Sequence, residues 1–160
     1  MTDTMDSAVA RYEKLRKDEL RLQFNSFHLK DAWQVGTYLV ELGVAAKLPI
    51  SISIFFGEQR VFHCALDGAT ADNDDWLDRK FRVVGRFASS SLAVGARFRA
   101  RGRDFRTDSN LDPNKFAAAG GALPLMVRGS MVGIIGVSGL NEQEDHDLVV
   151  KALEHHLLLH

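Results

Sequence analysis

Twice this chain turns back on itself, and the two returns limit what it can fold into. Ile50, Ile52 and Ile54 alternate with serines in a β-rich run to Phe56, Gly57-Glu58 makes a turn, and Arg60 to Leu66 forms the second arm. Leu123 to Val127 and Met131 to Val137 repeat the pattern about Arg128-Gly129-Ser130. Hairpins pair antiparallel, so a doubly wound parallel sheet is excluded. Helical periodicity fills the remainder: Ala8 to Leu22, Lys30 to Ala46, Asp74 to Ala88, Leu92 to Arg101, and a last helix that Asn141 and Glu144 cap at its start. A short extended piece is expected near Leu22 to Phe27, and Arg103 to Phe116 is expected to be irregular. The order is two helices, a hairpin, two helices, a hairpin and a helix, which is an α+β arrangement. Pro49, Pro113 and Pro124 each fall at an element boundary.

The 160 residues match the usual size of one domain, and 46% of them are hydrophobic, enough for a core. We therefore expect a single domain over 1–160, with the polar and acidic residues 1–7 as a frayed arm. A net charge of −1 creates no global field toward nucleic acid or membrane. No apolar run approaches the ~18 residues of a membrane span. Cys64 is the only cysteine, which excludes an internal disulfide and fits a reducing, cytoplasmic compartment.

Lys80 is a charge in an unusual place. Its neighbours at three and four residues are Trp76, Leu77, Val83 and Val84, so it sits within an apolar stripe. Arg79 does not; it pairs by spacing with Asp75, as Asp78 does with Arg82, on a solvated face. A buried ammonium must snorkel to water, meet a structural carboxylate, hold a ligand anion, or shed its proton and serve as a nucleophile. Asp72-Asn73 is expected to cap this helix, which puts Lys80 within reach of a cleft.

His146 shares a stripe with Val149, Val150, Leu153 and Leu157 in the last helix. A helix N-terminus disfavours imidazolium, so a neutral ring is expected, either a satisfied core histidine or a group able to ligate metal or haem iron. Asp145 faces elsewhere and complements the helix dipole. Gly120-Gly121 precedes the second hairpin and is able to offer backbone N–H groups to an anion. Arg97, Arg99, Arg101, Arg103 and Arg106 form a basic run without a nucleic-acid docking motif, so a solvated helix end or a subunit interface is expected and no nucleic-acid partner is assigned. His156 and His160 have i,i+4 spacing at an end expected to fray, and no metal is assigned. No P-loop, dinucleotide fingerprint or Ser-His-Asp set is present.

Taken together, Asp72-Asn73-x-x-Trp76-x-x-Arg79-Lys80, Phe87-x-Ser89-Ser90, Gly120-Gly121-x-x-Pro124, Gly136-Val137-Ser138-Gly139-Leu140 and Asp145-His146 resemble the haem-degrading-domain family of GlcG-like and HbpS-like proteins, in its UPF branch. The likeness runs from about Phe24 to Leu153. It implies a profilin-like fold of α/β/α layers, an antiparallel sheet of about five strands, and dimers that assemble further. Some relatives bind haem or are linked to its breakdown. No Cys-Pro haem motif occurs here, since Cys64 is followed by Ala65, so His146 is the candidate iron ligand, with Lys80 or Arg79 on a propionate.

The expected function is a homo-oligomeric protein that binds haem or another small anion through Trp76, Arg79, Lys80, Gly120, Gly121 and His146. The alternatives are a non-catalytic interaction or scaffold protein and a metal- or lysine-dependent enzyme of haem breakdown.

Overall fold

A computed structural model describes residues 2–160. Its elements are α1 (Thr2–Leu20), β1 (Gln23–Phe24), α2 (Leu29–Ala45), β2 (Ser51–Phe56), β3 (Gln59–Ala65), α3 (Ala71–Phe87), α4 (Ser91–Ala100), the short α5 (Phe105–Asp108), β4 (Ala122–Val127), β5 (Ser130–Ser138) and α6 (Glu142–Leu159). The stretch expected as a frayed arm is helical from Thr2 onward; Met1 lies outside the described residues. Among the described residues no helix is long and apolar enough to cross a membrane.

The five strands form one sheet in the order β1-β4-β5-β2-β3. Both expected hairpins are present, and β2 and β5 pair antiparallel in the middle of the sheet. The turn between β4 and β5 has positive φ at both Arg128 (50°) and Gly129 (85°), the sign pattern of the two-residue turn that matches strand twist. Only the edge departs from antiparallel pairing. There β1 runs parallel to β4, with Gln23 opposite Met126 and Phe24 opposite Val127.

Helices cover both faces. Ile50, Ile52 and Ile54 join Leu123, Leu125, Ile135 and Val137 in the core beneath α2 and α6. Leu77, Phe81 and Val84 of α3 pack on the other face with Ala122, Phe55 and Ile134. The serines that alternate with the isoleucines are therefore buried too, Ser51 at 0% and Ser53 at 4% exposure. Gly136, opposite Ser53, leaves room for the Phe81 ring, which an added Cβ would strike. Small residues on this face let α3 lie close to the sheet.

Helix starts are set locally. The cap of α3 is Thr70 in a reciprocal box with Asn73, one turn before the expected start, so Asp72 lies inside the helix. Asn141 caps α6 as expected, accepting from the Glu144 N–H at 2.8 Å. Ser90 caps α4 through Ala93 N–H, but Ala93 has no acid to reach back. Glu19 of α1 supplies it: Oε1 accepts the Ser90 N–H at 2.7 Å and the Arg16 guanidinium at 2.8 Å. One carboxylate thus anchors α1 onto the α3–α4 junction.

Replacing Glu19 by Ala leaves the fully buried Ser90 N–H unpaired. We expect urea denaturation to show a loss of about 1–3 kcal/mol.

Candidate functional site

The stripe reading of α3 holds in the structure, since Leu77, Lys80, Phe81, Val83 and Val84 are its buried residues. Lys80 is 3% exposed. Its ammonium donates to Asp145 Oδ2 at 3.2 Å and to the Val137 carbonyl at 3.3 Å. The protein's own acid answers the charge, so Lys80 is neither snorkelled to water nor left for a ligand alone.

Asp145 departs from its expected role. It is 1% exposed, and its second oxygen accepts the Leu140 N–H at 3.0 Å rather than complementing the helix dipole from solvent. The pattern that reveals it is Asp145, Val149, Ala152 and His156, a buried stripe beside the one containing His146. Burial pushes the Lys80 pKa down, and Asp145 opposes that shift. Burial pushes the Asp145 pKa up, and Lys80 opposes that in turn. Each charge thus opposes the shift that burial imposes on the other.

Gly120 and Gly121 serve close approach. Gly121 has φ +135°, and an added Cβ would lie 2.7 Å from Lys80 Nζ and 3.1 Å from Asp145 Cβ. A Cβ on Gly120 would meet the Glu142 carbonyl. The Gly120 N–H points to Glu142 Oε2 at 3.4 Å, so that donor faces a carboxylate of α6.

Two cavities flank Trp76 and Ala119. One, of about 260 Å³, is lined by Asp72, Asn73, Lys80, Glu142 and Asp145 among others. Its charged side chains are three acids and one lysine, so an anion entering there meets net repulsion. The other, of about 200 Å³, is lined by Arg79, Arg99, Arg106, Asp104, Phe105 and Phe116 among others. Its balance is three arginines to one acid, and that acid already accepts the Thr107 N–H at 3.2 Å.

Arg79 is the best-held of these cations. It bonds Asp75 at 3.0 Å, as its spacing predicts, yet its side chain is only 15% exposed. Asp75, Asp78 and Arg82 are exposed as expected, and only Arg79 departs from that face, because its guanidinium lies 3.9 Å from the Trp76 ring centroid. Among the described residues, Arg79 Nε is buried without a hydrogen-bond partner. Arg82, expected to pair with Asp78, donates to the Lys115 carbonyl at 3.1 Å. Sequence spacing missed Arg99 and Arg106 as site residues because α3, α4 and α5 bring the three arginines together from separate segments.

His146 is 5% exposed, and its Nδ1 is buried without a partner among the described residues. It lines neither cavity beside Trp76. Burial lowers its pKa, Asp147 works against that, and Arg11 of α1 adds to it. The direction is the one expected from the sequence, but its main cause is burial rather than the helix N-terminus.

Two outcomes test this arrangement. Lys80→Met strands the Asp145 carboxylate, and chemical denaturation should register a loss of about 3–5 kcal/mol; adding Asp145→Leu should restore most of it. For His146, the folded pKa lies below the unfolded 6.5, so its neutral form is worth most above that pH. Stability should fall as pH drops below 6.5 toward the folded value. His146→Leu should flatten the melting temperature measured between about pH 7.5 and 5.

Residues 27–154 match the family model described as haem degrading protein HbpS-like. A UPF0303 protein of Streptomyces avermitilis is 51% identical over 142 residues, covering 88% of this chain and 87% of that protein. Among solved structures, the Ybr137w protein is 28% identical with a TM-score of 0.80, over 89% of this chain and 84% of that one. The PduOC–haem complex is 17% identical with a TM-score of 0.68, over 81% and 94%, a likeness of fold. The five-strand α+β architecture, the family model and a relative at this identity agree, and the chain belongs to the HbpS-like haem-degrading protein family.

Proposed function

We propose that this protein binds a small organic anion, with Arg79 as the principal contact and Arg99 and Arg106 beside it. The observation that carries this reading is the Arg79 guanidinium, mostly buried and stacked on Trp76 while bonded to Asp75, at the wall of a cavity that Arg99 and Arg106 also line. A guanidinium held flat in this way loses little freedom on meeting a carboxylate and accepts it in a fixed plane. At about 200 Å³ the cavity falls below the ~300–1,000 Å³ that encloses a drug-sized ligand. It suits a small carboxylate, or the acidic arm of a larger molecule whose body lies outside.

Haem fits this site in part. Its propionates match the arginines, and a PduOC relative is described in complex with haem. Neither cavity beside Trp76 is lined by a His, Cys, Met or Tyr to meet the iron, and His146 lies apart from both. Recognition would therefore rest on the carboxylates, with no iron ligand drawn from these walls. Lys80, Gly120 and Gly121 act behind the pocket: the Lys80–Asp145 pair fixes the turn of α3 that presents Trp76 and Arg79.

A lysine-dependent reaction is disfavoured, because Lys80 Nζ already holds Val137 and Asp145. The interaction reading draws on α2, where Leu29, Trp33 and Val44 are exposed, Trp33 at 65%. Such a stripe is suited to self-association, and we include a homo-oligomer in the proposal.

Calorimetric titration with hemin and with succinate separates these readings. Arg79→Met should weaken binding at least about tenfold, whereas His146→Gln should leave it unchanged. If the wild-type chain takes up neither compound, or Arg79→Met binds as tightly as wild type, the anion reading is wrong. A monomeric mass by light scattering would remove the self-association part.

A further inference from the structure

The opposite face of the sheet holds a second group of chemistry-bearing side chains, far in character from the arginine cleft. Asp31 stands in the first turn of α2, His156 in the last turns of α6, and His160 at its end. One donor atom from each lies within 4.8 Å of the other two. His156 was expected to fray. It is instead 3% exposed, with Nε2 2.8 Å from Asp31 Oδ1.

Each donor is held in place by its surroundings. The His156 ring packs against Phe24 and Phe27, at 5.7 and 5.8 Å between centroids, and against His160 at 4.5 Å. Asp31 Oδ2 accepts the His28 N–H at 2.7 Å in the capping box of α2, so Oδ1 is the oxygen left for the histidines. Burial opposes ionisation of Asp31, but the His28 N–H and His156 outweigh it and keep the carboxyl below its usual range. Tyr38 stacks on His155 at 3.9 Å and 3°, which fastens this end of α6 to α2.

A buried His–Asp hydrogen bond alone would explain His156 and Asp31. It would not explain two further features. His160 repeats the donor four residues on, the spacing by which a helix presents two imidazoles to one ion. Gln34, one turn beyond Asp31, has a buried Oε1 with no partner among the described residues. Gln34, His156 and His160 share the wall of a cavity of about 420 Å³, together with Tyr38 and Glu41.

The geometry points to a mononuclear site for a divalent first-row transition-metal ion, held by Asp31, His156 and His160, with an open position toward the Gln34 cavity. Two imidazoles and one carboxylate suit zinc or its neighbours; magnesium and calcium prefer oxygen donors throughout. With metal–ligand bonds of about 2.0–2.2 Å, ligand atoms stand roughly 3.3–3.6 Å apart in a tetrahedron. His156 and Asp31 need open only slightly from 2.8 Å, and His160 closes from the chain end. The ion replaces the His156–Asp31 hydrogen bond and clamps α6 to α2.

The test uses the untagged full chain after chelator treatment, titrated calorimetrically with zinc chloride and read in parallel with cobalt(II) absorption. One ion per chain is expected, with the intense visible bands of low-coordinate cobalt. Asp31→Asn and His160→Gln should each weaken zinc at least about tenfold and remove the cobalt bands, while His63→Gln, at a histidine bonded to Asp74 away from this cavity, should change neither. His160 is exposed at the chain end, so His160→Gln decides the matter even if Asp31→Asn loses the α2 cap. No stoichiometric uptake by the wild type, or unaltered uptake by His160→Gln, would overturn the site and leave a His–Asp hydrogen bond only.

Discussion

The Lys80–Asp145 pair ties together the parts of the molecule that matter for its site. Lys80 comes from α3 on one face of the sheet, Asp145 from α6, whose main packing is on the other, and Val137 from β5 between them. Asp145 also holds the Leu140 N–H in the turn that follows β5. Two helices that do not share a layer are thereby fixed to the same strand end. Such a pair is not a source of large net stability, since desolvation consumes much of the attraction. Its value is positional: the geometry that satisfies both ions also sets the rotation of α3. Gly121 is what this closeness demands, because no side chain fits between its Cα and the ammonium.

That rotation sorts the charges around Trp76. With Lys80 turned inward to Asp145, the preceding Arg79 is carried to the adjacent cavity and laid on the indole ring. The lysine ends in a place crowded by Asp72, Glu142 and Asp145, the arginine among Arg99 and Arg106. Two consecutive cations therefore have opposite electrostatic surroundings. An ammonium suits the first setting, as a compact charge that one carboxylate and one carbonyl satisfy. A guanidinium suits the second, since its planar fork both stacks on an aromatic ring and keeps donors for an acid.

Local periodicity made much of this legible. The hairpins followed from alternation and glycine turns, and the burial of Lys80 from four apolar neighbours at helical spacing. The partner was not legible in the same way. Asp145 sits in the first turn of a helix, where an acid has an ordinary reason to be, and that reason masked its place on the stripe with Val149, Ala152 and His156. A helix buried over a wide arc carries two adjacent stripes, and α6 is one: Asp145 and His146 are consecutive and both buried. The terminal histidines were discounted for a similar reason, since nothing in α6 alone reveals Asp31, 125 residues upstream. The parallel pairing of β1 with β4 and the meeting of Arg79, Arg99 and Arg106 likewise depend on chain segments that sequence spacing does not connect.

The sheet also separates two chemistries. The arginine cleft is formed by α3, α4 and α5 on one face, and the Asp31–His156–His160 group by α2 and α6 on the other. Their donor sets do not overlap: guanidinium groups recognise an organic acid and repel a metal ion, whereas imidazoles and a carboxylate do the reverse. Haem combines both characters, acid arms and a metal, but here they would be met on opposite sides of a five-stranded sheet. No single haem could reach the two sets at once within one chain. If both proposed sites are filled, the organic anion and the metal ion are held separately, on opposite faces of the sheet. The link between them is the rigid sheet and α6, whose first turn holds Lys80 in register and whose last turns supply the histidines.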